Sequence, residues 1–331
     1  MKRQSIPRQA RGGEESRTIP LAVIMCVIAT ANIASADTFG TGNNQFTIDF
    51  VNMPGDASSA NGTNISQDPP GEFWYKTFTD PGSFRISKFE ITNDQWKKFT
   101  NIYGIPLGNP TGAYDRPPYF TGTNIPANCV SWYEAAQFVN WLNTSTGHQA
   151  AYKFTGTRRT SNYTFVSWDP GDPGYDPSNP FRNSNAFYFL PTEDEWCKAA
   201  YWNGTNLQTY ATIDDSKPIA GVDTNYDLAV GHQPWEVTSG TEELNGTFNI
   251  MGNMREWMES PLLSGDYLPS YFRGVRGGSF DYHDYNLGSS YRYGFFPNID
   301  YDNIGFRVAS VPEPATVLLF GLGAMLLRKR R

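Results

Sequence analysis

The sequence predicts a single α+β domain with few short helices, set between two segments that do not belong to the fold. Three observations predict it. Gly and Pro are frequent, 31 and 23 of 331 residues, which favours a loop-rich chain over a helical bundle. Helical starts are confined to the stretch before Tyr201. Aromatic residues make up 15% of the chain and no repeat of 20–50 residues is visible, so the core should form by irregular aromatic packing and not by stacked units.

The ends separate first. Residues 1–36 hold Lys2, Arg3, Arg8, Arg11 and Arg17, then the apolar run IPLAVIMCVIATANIA, then Ala34, Ser35 and Ala36. This is the order of a secretory signal with a small-residue cleavage site. Residues 311–331 place Pro312, Glu313 and Pro314 before about 13 apolar residues and a basic end, Arg328 to Arg331. That run is short for a lasting membrane span, which needs ~20 residues, and its basic end should stay on the cytoplasmic side. Without these ends the chain carries 17 basic against 30 acidic residues, net −13. Such a surface repels phosphate backbones, so nucleic acid is excluded as a partner. Neutral sugars and cations suit it better.

The elements follow in chain order. Residues 43–53, NNQFTIDFVNM, alternate Phe46, Ile48 and Phe50 on one side and predict the first strand. Residues 56–71 are a Ser/Asn/Gly/Pro loop. Three capping boxes announce helices at Thr92/Gln95, Ser131/Glu134 and Thr192/Glu195. In each, the hydroxyl accepts from the third residue's backbone N–H and the Glu or Gln side chain reaches back. Their predicted bodies are 95–100, 134–142 and 195–202. Residues 147–187, rich in Asn, Pro, Gly and Ser, read as a long surface excursion. Short aromatic strands and turns fill the remainder up to Val308, with no linker to divide residues 45–310. Cys129 and Cys197 remain after processing. A disulfide and two buried thiols are equally open, because spacing alone does not place them within bridging distance. His148, His232 and His283 have no zinc-ligand spacing.

Two stretches carry chemistry. In NIMGNMRE, Asn249 offers an amide oxygen, Glu256 a carboxylate, and the glycine turn between them can aim carbonyls inward. An all-oxygen set suits Ca²⁺ better than zinc or copper. The alternative is a turn in which Glu256 caps backbone N–H groups. The second stretch, GGSFDYHDYNLGSSYRYG from Gly277, crowds Asp281, His283, Tyr285 and Arg292 into a possible ligand loop. It holds no positioned nucleophile, so His283 beside two aspartates reads as a hydrogen-bonded loop residue. Arg276, Arg292 and Arg307 are expected to tie strands to carboxylates.

Six motifs in order, KFEITN from Lys88, VSWYEA from Val130, LPTEDEW from Leu190, GNMREW from Gly252, RGGSF from Arg276 and NIGFRV from Asn303, resemble the formylglycine-generating, sulfatase-modifying enzyme family. The resemblance implies an irregular α+β fold related to C-type lectins. It implies calcium at Asn249, Gly252, Met254 and Glu256, the middle two through backbone oxygen. It also implies a copper(I) site of two cysteines five apart. Counted from Gly278, those positions here are Tyr282 and Leu287. Neither binds copper(I), so copper is not expected, and Ser279, which matches a family site serine, does no redox work alone. The C-terminal segment resembles the PEP-CTERM sorting signal. It implies a sorting protease as partner, transient membrane contact through the tail, and export to the periplasm, outer surface or matrix of a Gram-negative-type bacterium. The expected function is a non-catalytic, calcium-stabilised binding module, with polysaccharide or another exported protein as partner. The competing reading is an oxidoreductase that makes formylglycine or modifies another exported substrate.

Overall fold

The computed structural model describes residues 1, 35–53 and 55–312. Most of the expected signal and all of the tail from residue 313 lie outside these residues. Among the described residues no helix is long and apolar enough to cross a membrane. The fold described here lies within the unit Asn32–Arg331.

Among the described residues eleven strands and three α-helices follow one another: β1 Ser35–Phe39, β2 Phe46–Met53, β3 Phe84–Ser87, α1 Asn93–Tyr103, α2 Trp132–Ser145, β4 Lys153–Thr155, β5 Thr164–Val166, β6 Tyr188–Phe189, α3 Glu193–Tyr201, β7 Arg255–Pro261, β8 Arg273–Arg276, β9 Tyr293–Phe295, β10 Ile304–Gly305 and β11 Ala309–Ser310. They form a five-stranded sheet ordered β1-β2-β3-β11-β6, a four-stranded sheet ordered β10-β7-β8-β9, and the hairpin β4-β5. The first sheet is antiparallel throughout. In the second, only the β10–β7 pair is parallel.

All three capping boxes form with both hydrogen bonds in place. The helices extend to Tyr103, Ser145 and Tyr201. The expected first strand is β2, with Phe46, Ile48 and Phe50 buried on one face as the alternation requires. Another strand precedes it. β1 begins at Ser35, before the expected domain start, and pairs along β2 from Ser35/Phe50 to Phe39/Phe46.

The expected surface excursion at 147–187 is also a core contributor. Tyr152, Phe165 and Phe181 are buried and surround the Trp132 ring with centroids at 5.2, 4.9 and 6.2 Å. These aromatics sit at no regular spacing, so no period marked them as inward. Three indoles anchor helices to strands: Trp132 donates to the Met258 carbonyl, Trp257 to the Val130 carbonyl, and Trp196 to the Glu256 carboxylate. Each buried ring thereby satisfies its one N–H. Arg276 and Arg292 both pair with Glu193 on α3, and Arg307 pairs with Glu256 on β7, as expected for strand ties.

Candidate functional site: the loop after strand β8

Strand β8 ends in two glycines that the turn requires. Gly277 and Gly278 hold φ of 96° and 71°. A Cβ on Gly277 would stand 2.8 Å from the Ile250 carbonyl, and one on Gly278 2.8 Å from Leu287. Side chains are therefore excluded at both positions by conformation and by contact.

The turn delivers a polar chain that runs from the buried Ser279, Arg255 and Asn303 to the half-buried Asp281 and Tyr282. Ser279 donates to Asp281 at 2.6 Å, and the Asn303 amide donates to both Asp281 oxygens at 3.2 and 3.1 Å. Arg255 donates to the Asn303 amide oxygen and, at 2.8 Å, to the Tyr282 hydroxyl. Its guanidinium lies over the Tyr282 and Phe295 rings at 4.6 and 4.8 Å. Burial lowers the Arg255 pKa, with Tyr282 and Asp281 opposing. Burial likewise pushes the Tyr282 phenol up. Leu287 is fully buried in the core. The two positions matched to copper thiolates are thus a hydrogen-bonded phenol and a core aliphatic.

The proposed ligand-loop residues separate. Asp281 belongs to the polar chain just described and is half-buried. His283 and Tyr285 lie on the surface with rings 5.9 Å apart, and Tyr285 also meets Tyr291 at 6.3 Å. His283 Nδ1 sits 2.9 Å from Asp227 Oδ1, both side chains more than half exposed. Arg292 leaves the ligand set. It is 1% exposed, holds Glu193 at 2.8 and 2.6 Å, and donates to the Trp74 and Leu262 carbonyls. Its place in the sequence next to the loop tyrosines hid its inward direction.

The turn 249–256 is built from left-handed residues, Asn249, Gly252 and Asn253 at φ 53°, 76° and 56°. The Asn249 amide oxygen accepts from Trp235 at 2.8 Å and Thr224 at 3.3 Å, while its nitrogen donates to the Val237 and Ser239 carbonyls. Glu256 is fully buried. It accepts from Arg307 Nε at 2.8 and 2.7 Å and from Trp196 at 2.7 Å. So arranged, Asn249, Gly252, Met254 and Glu256 do not fit calcium. The ion needs six to eight oxygens facing one point, whereas the one carboxylate among these four residues, Glu256, is held by Arg307, and the neighbouring Glu243 and Glu90 accept from the Ile250 and Met251 N–H groups and from the Asn253 amide.

Cys129 and Cys197 are buried free thiols. Burial raises the pKa of both, that of Cys197 to about 12. Neither is the thiolate that copper binding or thiol redox chemistry requires.

Two residues of the polar chain were not singled out from sequence, Arg255 and Asn303. A signal existed for the first. Adjacent strand residues point to opposite faces, so if Glu256 faces Arg307, Arg255 must face the loop.

This fold and glycine-led loop define a domain of the formylglycine-generating-enzyme type, α+β with a C-type-lectin-like core. Residues 59–311 match the sulfatase-modifying factor enzyme 1-like domain, and the chain belongs to that family. Residues 310–331 match the PEP-CTERM protein-sorting motif, which marks an exported chain of a Gram-negative-type bacterium. Among curated proteins the chain is similar to the chaperone protein LppX of Paenibacillus barcinonensis, 24% identical, over 71% of this chain and 79% of that one. Among solved structures it resembles variable protein 1 of Treponema denticola, at TM-score 0.56 and 21% identity over 84% of this chain and 99% of that one. It also resembles PvdO of Pseudomonas aeruginosa, at TM-score 0.54 and 17% identity over 83% and 98%. At these identities the structures speak for the fold alone.

Proposed function

We propose that the chain is an exported, non-catalytic binding module of the cell envelope or extracellular matrix, with polysaccharide or another exported protein as its partner. One observation carries this reading. Where the family's copper chemistry needs two thiolates, this chain has Tyr282, bound to Arg255, and Leu287, packed in the core. A phenol and an aliphatic side chain hold no soft metal ion, and the two thiols elsewhere are buried and protonated. The neighbouring surface offers exposed rings and a carboxylate, Tyr285, His283 and Asp227, which suit stacking and hydrogen bonding to sugars or to a protein. The chaperone name of the curated relative supports binding over chemistry in the same way. In this reading Arg307, not calcium, supplies the positive charge at the 249–256 turn.

The test is a binding screen of the purified chain against glycan arrays, host exopolysaccharide and exported proteins of the source bacterium. Tyr285→Ala should weaken the interaction found by about tenfold, as expected for loss of an aromatic anchor. Absence of binding above control in all three screens contradicts the proposal.

A further inference from the structure

A second site lies away from the loop after β8. Helix α1, the segment 105–123 and the first turn of α2 enclose a cleft of about 590 Å³, within the ordinary range for small-ligand sites. Its walls include Trp96, Ile105, Pro106, Tyr114 and Pro118, and Glu134 is its most deeply placed acid. Glu134 is only 6% exposed, and its hydrogen-bond neighbourhood is Ser131 alone. The Ser131 backbone N–H donates to one carboxyl oxygen at 2.8 Å. The Ser131 hydroxyl proton goes to the Ala113 carbonyl at 2.7 Å. The second carboxyl oxygen is not among the buried atoms that lack a partner; Glu134 lines the cleft, so this oxygen is reached from it, and no Lys or Arg among the described residues pairs with it. A carboxyl oxygen so placed can accept from something that enters the cleft.

The surrounding charge selects what that something is. Asp115 and Asp300 act on Glu134 with like sign. Arg116 is drawn to Asp300, 3.1 Å from its carbonyl and 3.4 Å from its carboxylate, while the second Asp300 oxygen is buried without a partner. On α1, Asp94 pairs with Lys98 and Lys97 is exposed. The cleft therefore combines an apolar, aromatic wall with an acidic base. We propose that it binds a primary ammonium carried on an apolar stem, with Glu134 receiving the ammonium and Trp96, Ile105, Tyr114 and Pro118 covering the stem. A free alkyl amine and a lysine side chain of a partner share this chemistry.

Burial, with Asp300 and Asp115 adding to it, raises the Glu134 carboxyl to about 8. It is therefore uncharged at pH 6 and ionised at pH 9, whereas alkyl ammonium groups stay charged across that window. Ammonium binding should tighten by roughly tenfold or more between those two pH values.

Calorimetry on the purified chain tests the site with hexylamine, Nα-acetyl-lysine methylamide and hexanoate. Hexylamine should bind and hexanoate should not. Comparable binding of the lysine derivative assigns the site to lysine side chains, and its absence beside hexylamine binding assigns it to free amines. Glu134→Gln keeps the capping box, since glutamine serves at that position, and should lose the pH dependence and about tenfold or more in hexylamine affinity at pH 9. Ile105→Ala, on the exposed lip, should weaken hexylamine roughly two- to fivefold without touching the fold. The proposal is overturned if hexanoate binds as well as hexylamine, if Glu134→Gln binds hexylamine as the parent does, or if no amine binds below about 10 mM, an affinity too weak to be a site.

Discussion

Glu193 is buried at the first position of α3, with Arg276 at 2.7 Å and Arg292 at 2.6 Å. Burial works to raise its carboxyl, but the two guanidiniums outweigh burial and hold it at about 2, against an ordinary 4.5. A carboxyl depressed in the fold contributes stability above its unfolded value and loses it as pH falls. Unfolding free energy measured by urea from pH 7 to pH 2 should therefore drop between about pH 4.5 and 2. Glu193→Gln should remove part of that acid dependence and cost about 3–5 kcal/mol at pH 7, because it leaves buried arginines without their counter-charge. Arg307 stands in the same relation to Glu256. Since the Arg307 guanidinium already neutralises that carboxylate, EDTA should leave the melting temperature of the purified chain unchanged, whereas Arg307→Met should cost about 3–5 kcal/mol. A fall in melting temperature with EDTA that excess calcium restores would place the ion at the turn after all.

Helices were legible because their signal is local. A hydroxyl and a Glu or Gln three residues later are read from four positions, and all three boxes formed. Thr192→Ala removes the acceptor for the Glu195 N–H, now 3.2 Å away. It should lower stability by about 1 kcal/mol in urea titration, with α3 and its Trp196–Glu256 bond the first contacts to loosen. The strands were less legible for the opposite reason. β10 and β11 are two residues each, too short for any period, and exist because distant partners meet them. β11 lies between β3 and β6, pairing Ala309 with Ile86 and with Phe189. The inward direction of Arg292 is a tertiary fact of this kind, since only the position of Glu193 on α3 decides it. Glu134 shows the same limit within an element: sequence identified its cap and not the cleft beside it.

Across the molecule, the first and last described strands share one sheet. Arg85 on β3 ties them, donating to Asp37 on β1 at 3.2 and 2.6 Å and to Ser310 on β11 at 2.9 Å. Cleavage after Ala36 would leave Asp37–Phe39 in that sheet, and removal of the tail beyond 312 would leave β11 in it. The fold is thus compatible with processing at both ends. The family was legible from six short motifs because each fixes a turn, a cap or an ion pair that the fold needs. Those same motifs do not specify activity, which rests on the side chains the loop after β8 presents. The most direct measurement of the central claim is a titration of the purified chain with copper(I) against a competing chelator, paired with an assay for conversion of a sulfatase-motif peptide to formylglycine. The account predicts no tight stoichiometric copper and no aldehyde product above a no-protein control. One tightly bound copper(I) per chain with peptide turnover, abolished by Tyr282→Phe and unaffected by replacement of Cys129 and Cys197, would contradict it.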